Sequence, residues 1–101
     1  MTGDRFLYIH KSVDISFDPD KRAKTLKERG LDFARANEVF AGRVYTAQDT
    51  RLAYSEERFI SVGHLDGRMV VLVWTPTATG RRIISMRKAN DREQEKFTKH
   101  F

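Results

Sequence analysis

The residues of this chain that could do chemistry are cations and carboxylates gathered at the ends of two apolar stretches. Glu56 and Glu57 stand beside Arg58, just ahead of the run FISVGHL. If a strand starts near Glu56, period-two geometry places Glu56, Arg58, Ile60, Val62 and His64 on one face. A carboxylate next to a guanidinium can take up a proton while the cation holds a phosphate. The same pair on an open surface is an ion pair worth under ~1 kcal/mol. The second stretch is RRIISMRK, Arg81 to Lys88. There Arg82, Ile84, Met86 and Lys88 alternate with Arg81, Ile83, Ser85 and Arg87, so either face has an apolar centre bracketed by cations. Such a strand could lay a phosphodiester across the rim of a sheet, or its charges could serve only to stop an edge from pairing with other chains. Lys21, three residues after Asp18, could join the same rim.

Other chemistries find no footing. The chain contains no GxGxxG, P-loop, HExxH or GxSxG pattern. It has no cysteine, which removes disulfides, thiolate zinc sites and thiol catalysis and fits a reducing compartment. His10, His64 and His100 are scattered without metal-ligand spacing. Neither a metal nor a cofactor is expected.

The elements that must position these groups are readable from period and punctuation. VDISF alternates as a short strand, with Val13, Ile15 and Phe17 on one side. Asp18-Pro19 opens a helix: the carboxylate caps orphan N–H groups, and proline fits the first helical position. This helix runs through DKRAKTLKER to Gly30, with a thin apolar stripe of Ala23 and Leu26. Asp32 caps a second helix, in which Phe33, Ala36 and Phe40 share a face. Arg43 to Ala47 reads as a weak strand and QDTRLAYSE as a loop. RFISVGHLD and RMVVLVWTP form a hairpin around Asp66-Gly67. MVVLVW is apolar on both faces and therefore central and covered on both sides. RRIISMRK is the last strand, and Asn90 with Glu93 starts a final helix by a capping box, with Phe97 and Phe101 four residues apart. The order β-α-α-β-β-β-β-α predicts an α+β domain: an antiparallel sheet of about four strands with two N-terminal helices and one C-terminal helix.

At 101 residues the chain forms a single domain, 1–101, with residues 1–12 as a poorly patterned extension. No apolar run approaches the ~20 residues of a membrane span, and the N-terminus lacks a secretory apolar core, so a cytoplasmic address is expected. Nineteen Lys and Arg against fourteen Asp and Glu give a net charge of +5, which favours an anionic partner such as nucleic acid or an acidic protein.

Four segments together resemble a known family. They are Ile15-Ser16-Phe17-Asp18-Pro19-Asp20-Lys21; Lys27 to Phe33 with Val39-Phe40; Glu56-Glu57-Arg58-Phe59 with Gly63; and Arg82 to Asn90 with Glu93. In order and spacing they resemble the BrnT toxins of bacterial type II toxin–antitoxin systems, over Val13 to the C-terminus. The resemblance implies a fold similar to RelE-type ribonucleases and metal-independent RNA cleavage that halts translation. It implies a BrnA-type ribbon-helix-helix antitoxin, joined in a toxin2–antitoxin2 heterotetramer that represses its own operon, so that DNA is met only through the antitoxin and no membrane is involved. Carried over by position, the catalytic group is Lys21, Glu56 or Glu57, Arg58, Arg82, Arg87 and Lys88. Arg29 and Arg81 are further RNA contacts, and Phe97 and Phe101 face the antitoxin. Two positions depart from the family pattern: Arg29 stands where many members have His, and Thr77 where members often have Arg. Metal-free cleavage needs a base for the 2′-OH, donors for the phosphorane and help for the 5′-oxygen. Glu56 (or Glu57), Arg58 with Arg87, and Lys21 or Lys88 could supply these in turn. The competing reading is a non-catalytic basic RNA- or protein-binding module.

Overall fold

A computed structural model of the protein describes residues 13–101, so the extension at 1–12 lies outside the described residues. The elements in chain order are β1 (Asp14–Phe17), α1 (Pro19–Arg29), a 3₁₀ turn (Phe33–Arg35), α2 (Ala36–Ala41), β2 (Tyr45–Gln48), β3 (Phe59–Leu65), β4 (Arg68–Pro76), β5 (Gly80–Lys88) and α3 (Asp91–Thr98). The class is α+β as expected, but the sheet differs. It has five strands in the order β1-β5-β4-β3-β2, and it is mixed. β1 runs parallel to β5, with Ile15 opposite Arg81 and Phe17 opposite Ile83, while all other neighbours are antiparallel. The second helix also differs, because it starts as a 3₁₀ turn and becomes α-helical only at Ala36.

The punctuation works as its chemistry requires. Asp18 caps α1 by accepting from the Asp20 N–H at 2.9 Å, and Gly30 ends it at φ 69°, a conformation open to glycine at little cost. Asp66 and Gly67 both take positive φ, 52° and 78°, which matches the hairpin turn to the twist of β3 and β4.

Two cores lie on opposite sides of β4. Val70 and Leu72 join Leu31, Phe33, Ala36, Val39, Ile83 and Met86 on the side that carries the 3₁₀ turn and α2. Val71 and Met69 join Val62 and Ala89 on the other side, closed by Phe97 of α3 and by Phe101. Each fully buried aliphatic side chain contributes ~1.5–3 kcal/mol, so β4, buried on both faces, is the main apolar anchor of the domain. Trp74 Nε1 donates to Ser61 Oγ at 2.9 Å, and that hydroxyl also meets Thr46 Oγ1 at 2.7 Å, which satisfies the polar atoms this packing buries.

α1 contradicts one expectation: it buries no residue, and Leu26 is 41% exposed. Its hold comes from its ends and from a forked ion pair, Arg22 to Asp32, at 2.7 and 3.0 Å. β1 stops at Phe17, so α1 runs beside the stretch of β5 that β1 leaves unpaired, and Arg29 Nη1 reaches the Met86 carbonyl at 3.4 Å.

α3 covers only the hairpin end of its side of the sheet, where Phe101 meets His64 edge-on at 4.6 Å. The other half of that face, around Ile60, Val73 and Ser85, is a depression, and the chemistry-bearing residues collect beside it.

Candidate functional site

The last strand is irregular where the cations sit. Val73 pairs with Ser85 but Trp74 pairs with Ile83, so Ile84 is an extra residue, a bulge in β5. The bulge shifts the alternation read from RRIISMRK. Residues paired directly share a face: Arg82 with Thr75, Ser85 with Val73 and Arg87 with Val71 stand on the α3 side, whereas Ile83 with Trp74, Met86 with Leu72 and Lys88 with Val70 stand on the α2 side. Strict alternation separates Arg82 from Arg87. The bulge puts both in one row with Ser85 between them.

At the Arg82 end of that row lies a cleft of about 200 Å³ lined by Asp18, Lys21, Glu56, Arg58, Arg82 and the backbone turn at Ile83–Ile84. Four expected site residues therefore meet there. Lys21 arrives on the first turn of α1, fixed by the Asp18 cap directly after β1. Arg82 arrives from β5. Glu56 and Arg58 arrive from the loop between β2 and β3, because β3 begins only at Phe59 and not near Glu56.

Within the cleft, Ser55 Oγ donates to Glu56 Oε2 at 2.8 Å and Arg58 Nε reaches Glu56 Oε1 at 3.3 Å. The serine hydroxyl first, then Arg58 and the field of Arg82, hold the Glu56 carboxyl below its usual range. Glu56 is thus ionised at neutral pH and a weak base. A phosphate bound to Arg58 and Arg82 would offset their charge and raise its basicity.

The loop carrying Glu56 and Arg58 has a support that the sequence reading missed. Asp49 has no exposed side-chain surface and accepts from Arg51 Nε and Nη2, both at 2.8 Å, and from the Tyr54 hydroxyl at 3.1 Å. The Arg51 fork is the main cause that holds the Asp49 carboxyl well below the carboxylate range. The Asp49 N–H donates to the Arg58 carbonyl at 2.7 Å, and the Arg58 guanidinium lies 4.2 Å from the centre of the Tyr54 ring. Asp49 thus holds the loop twice, its carboxylate through Arg51 and Tyr54 and its N–H through the Arg58 carbonyl. The only sequence hint was an Asp, an Arg and a Tyr close together in QDTRLAYSE, which has no period to interpret.

The remaining expected residues lie elsewhere. Glu57 faces the shallow loop surface with Gln48 and Leu52, and its carbonyl accepts from the Thr75 hydroxyl at 2.5 Å. Arg87 is engaged by Glu93 through a fork at 2.7 and 2.8 Å, about 15 Å along the strand from Arg82. Glu93 also accepts from the Asn90 N–H at 2.9 Å, and these contacts, Arg87 chief among them, pull its carboxyl down to about 2. Lys88 is on the α2 side of the sheet by its pairing with Val70, away from the cleft. Arg29 belongs to the α1–β5 seam. Arg81 is turned inward, its guanidinium 4.0 Å from the Phe40 ring centre and 4.9 Å from that of Trp74, and burial lowers its pKa. Its side chain is thus packed between aromatic rings rather than standing open with the cleft residues. Phe97 and Phe101 pack on Val62, Met69, Val71 and Ala89 and against Tyr45, so they close a core first of all.

Among the described residues, no helix is long and apolar enough to cross a membrane. No curated protein matches the chain. Residues 17–93 match the family model described as ribonuclease toxin, BrnT, of type II toxin-antitoxin system.

Proposed function

The chain belongs to the BrnT family of ribonuclease toxins of type II toxin–antitoxin systems, and from that premise we propose that it cleaves RNA without a metal at the cleft formed by Lys21, Glu56, Arg58 and Arg82. The family makes RNA the substrate and an antitoxin the partner. The observation that carries the proposal is the convergence of the Glu56 carboxylate and three cations from three separate segments on one cleft, beside the helix-capping Asp18.

In this scheme Arg58 and Arg82 hold the scissile phosphate through forked hydrogen bonds. Their charge is then offset, and Glu56 gains the basicity to take the proton from the 2′-OH. O2′ attacks phosphorus, the P–O5′ bond breaks, and the Lys21 ammonium donates to the departing O5′. The products are a 2′,3′-cyclic phosphate and a 5′-hydroxyl. Arg82 takes the place that the sequence reading gave to Arg87.

The antitoxin is proposed to be BrnA-like and to neutralise the toxin with an acidic segment laid over the row of cations, in a complex of two toxins and two antitoxins. Because Phe97 and Phe101 close a core, deleting residues 95–101 would disturb folding as well as binding.

Purified protein incubated with RNA in excess EDTA should yield fragments with cyclic phosphate ends. Glu56→Gln and Arg82→Ala should each lower the rate by roughly 10²–10³, the usual effect of losing one transition-state group. Linear 3′-hydroxyl ends, loss of activity in EDTA, or full activity in Glu56→Gln would each refute the scheme. Binding of RNA with no cleavage at all would favour the non-catalytic module.

A further inference from the structure

Beside the proposed cleavage cleft, on the α3 side of the sheet, is a second depression of about 290 Å³. Its floor is apolar, made by Ile60, Val62, Val71 and Val73, and Phe97 forms one wall. Ser85, the Arg87–Glu93 pair and Arg51, whose guanidinium is forked to Asp49, supply its polar groups. It lies next to the phosphate cleft because the two share strands: Ile60 is two residues past Arg58, and Ser85 follows Arg82 on the same face. Two strand residues span about 7 Å, so the near edge of the floor lies about one nucleotide step from Arg58, and the Arg87 backbone stands about 15 Å from that of Arg82, a gap that the two long side chains narrow.

Arg87 has donors left over, and their positions are defined. Nη1 donates to Glu93 Oε1 at 2.7 Å and reaches the Lys88 carbonyl at 3.4 Å, while Nη2 donates to Glu93 Oε2 at 2.8 Å. A guanidinium has five N–H bonds. Among the described residues, the Nε–H and the second Nη2 hydrogen remain, and these two point the same way as a fork. Glu93 is itself tied to the start of α3 through Asn90, so the fork is held in place before any ligand arrives.

We propose that this depression is a nucleobase subsite that selects guanine next to the scissile phosphate, a reading that rests on the cleavage cleft proposed above. A flat base fits an apolar floor that a phosphate could not occupy without losing its hydration. Guanine offers O6 and N7 as two adjacent acceptors, the edge that an arginine fork pairs with best. Adenine puts an amino donor in place of O6 and uracil an N–H between its two carbonyls, while cytosine, whose O2 and N3 are also adjacent acceptors, has only a single ring to cover the apolar floor. The bulge at Ile84 is what sets the fork and the phosphate cleft on the same face.

The test is direct binding to the purified full chain of 3′-GMP, 3′-AMP, 3′-CMP, 3′-UMP and inorganic phosphate, followed by calorimetry. 3′-GMP should bind about tenfold or more tightly than the other three nucleotides, at the lower end of what a forked arginine–guanine contact discriminates. Arg87→Gln should remove most of that ratio. Val73→Phe, which fills the floor without touching the Arg87–Glu93 pair, should remove it too, with the circular dichroism spectrum confirming that the variant is folded. Equal binding of all four nucleotides, binding no tighter than phosphate, or a guanine preference that survives both variants would overturn the proposal. RNA cleavage separates the two readings. Cutting without guanine preference sinks the subsite alone, and a guanine preference in binding without any cutting sinks the cleavage scheme alone.

Discussion

Glu93→Gln should destabilise the protein at neutral pH and do so progressively less as the solution is acidified. The carboxyl of Glu93 is pulled from 4.5 to about 2, chiefly by the fork from Arg87. A drop of that size corresponds to at most about 3 kcal/mol of stabilisation. The side chain is 25% exposed and its partner 43%, so solvent screening reduces the figure to about 1–2 kcal/mol. Glutamine can still accept from the Asn90 N–H and keep the helix cap, so the substitution removes mainly the charged pair. In a domain of this size that lowers the melting temperature by roughly 5–12 °C at pH 7. The folded state binds this proton less readily than the unfolded state, so the contribution is complete above about 4.5, fades as pH falls, and is gone below about 2. Thermal melts of both proteins, followed by circular dichroism from pH 7 to pH 2.5, should therefore show a gap that narrows below pH 4.5. A gap of the same width at every pH would mean that the loss is steric. No gap at pH 7 would mean that the Arg87–Glu93 fork contributes nothing.

Three further outcomes are expected. Asp18→Ala removes the acceptor for the Asp20 N–H and should cost about 1 kcal/mol in urea unfolding; an unchanged midpoint would show that α1 does not depend on this cap. Gly63→Ala brings a Cβ to 2.7 Å from Val39 Cγ1 and 2.9 Å from Val44 Cγ1, so α2 must shift against β3 at a cost of roughly 1–3 kcal/mol, visible as a lower urea midpoint with the same slope. Arg81→Met keeps a long chain against Phe40 and Trp74 and removes a buried Nε–H that has no acceptor, so RNA binding should be unaltered in filter-binding assays while Arg82→Met weakens it. Equal losses in both would place Arg81 on the RNA path after all.

Local signals carried most of the fold. Caps at Asp18 and Asn90, the Asp66-Gly67 turn and the doubly apolar β4 each act within a few residues, and each forms where its chemistry requires. The misreadings share a different cause, since they depend on contacts between distant segments. Nothing in VDISF says that its partner is RRII or that the two run parallel. Ala23 and Leu26 look like a core stripe by spacing, yet the sheet offers them no surface, and α1 is held by Arg22 and Asp32 instead. For the proposed site, Lys21, Glu56, Arg58 and Arg82 could be picked out by type, whereas the grouping of Arg82 with Arg87 and apart from Lys88 could not. That grouping depends on one inserted residue, Ile84, and a bulge in a run such as RIISM leaves no mark that period-two counting can detect. Asp49 was hidden for the same reason, being a loop residue whose partners are fixed only once the loop has folded.

The parallel seam also has a consequence in time. β1 is the first strand among the described residues, yet its partner residues, Gly80 to Ile83, are made late in the chain. At an elongation rate of about 5–20 residues per second, β1 waits for several seconds with nothing to pair with. Lys21 follows β1 directly and cannot face Arg82 until that seam closes. A chain that ends before β5 holds Glu56 and Arg58 but lacks Arg82, and so lacks the proposed cleft. On the proposed site, the chain gains its full set of cations only when most of its synthesis is over, and that delay is an interval in which an antitoxin already present can be waiting for it.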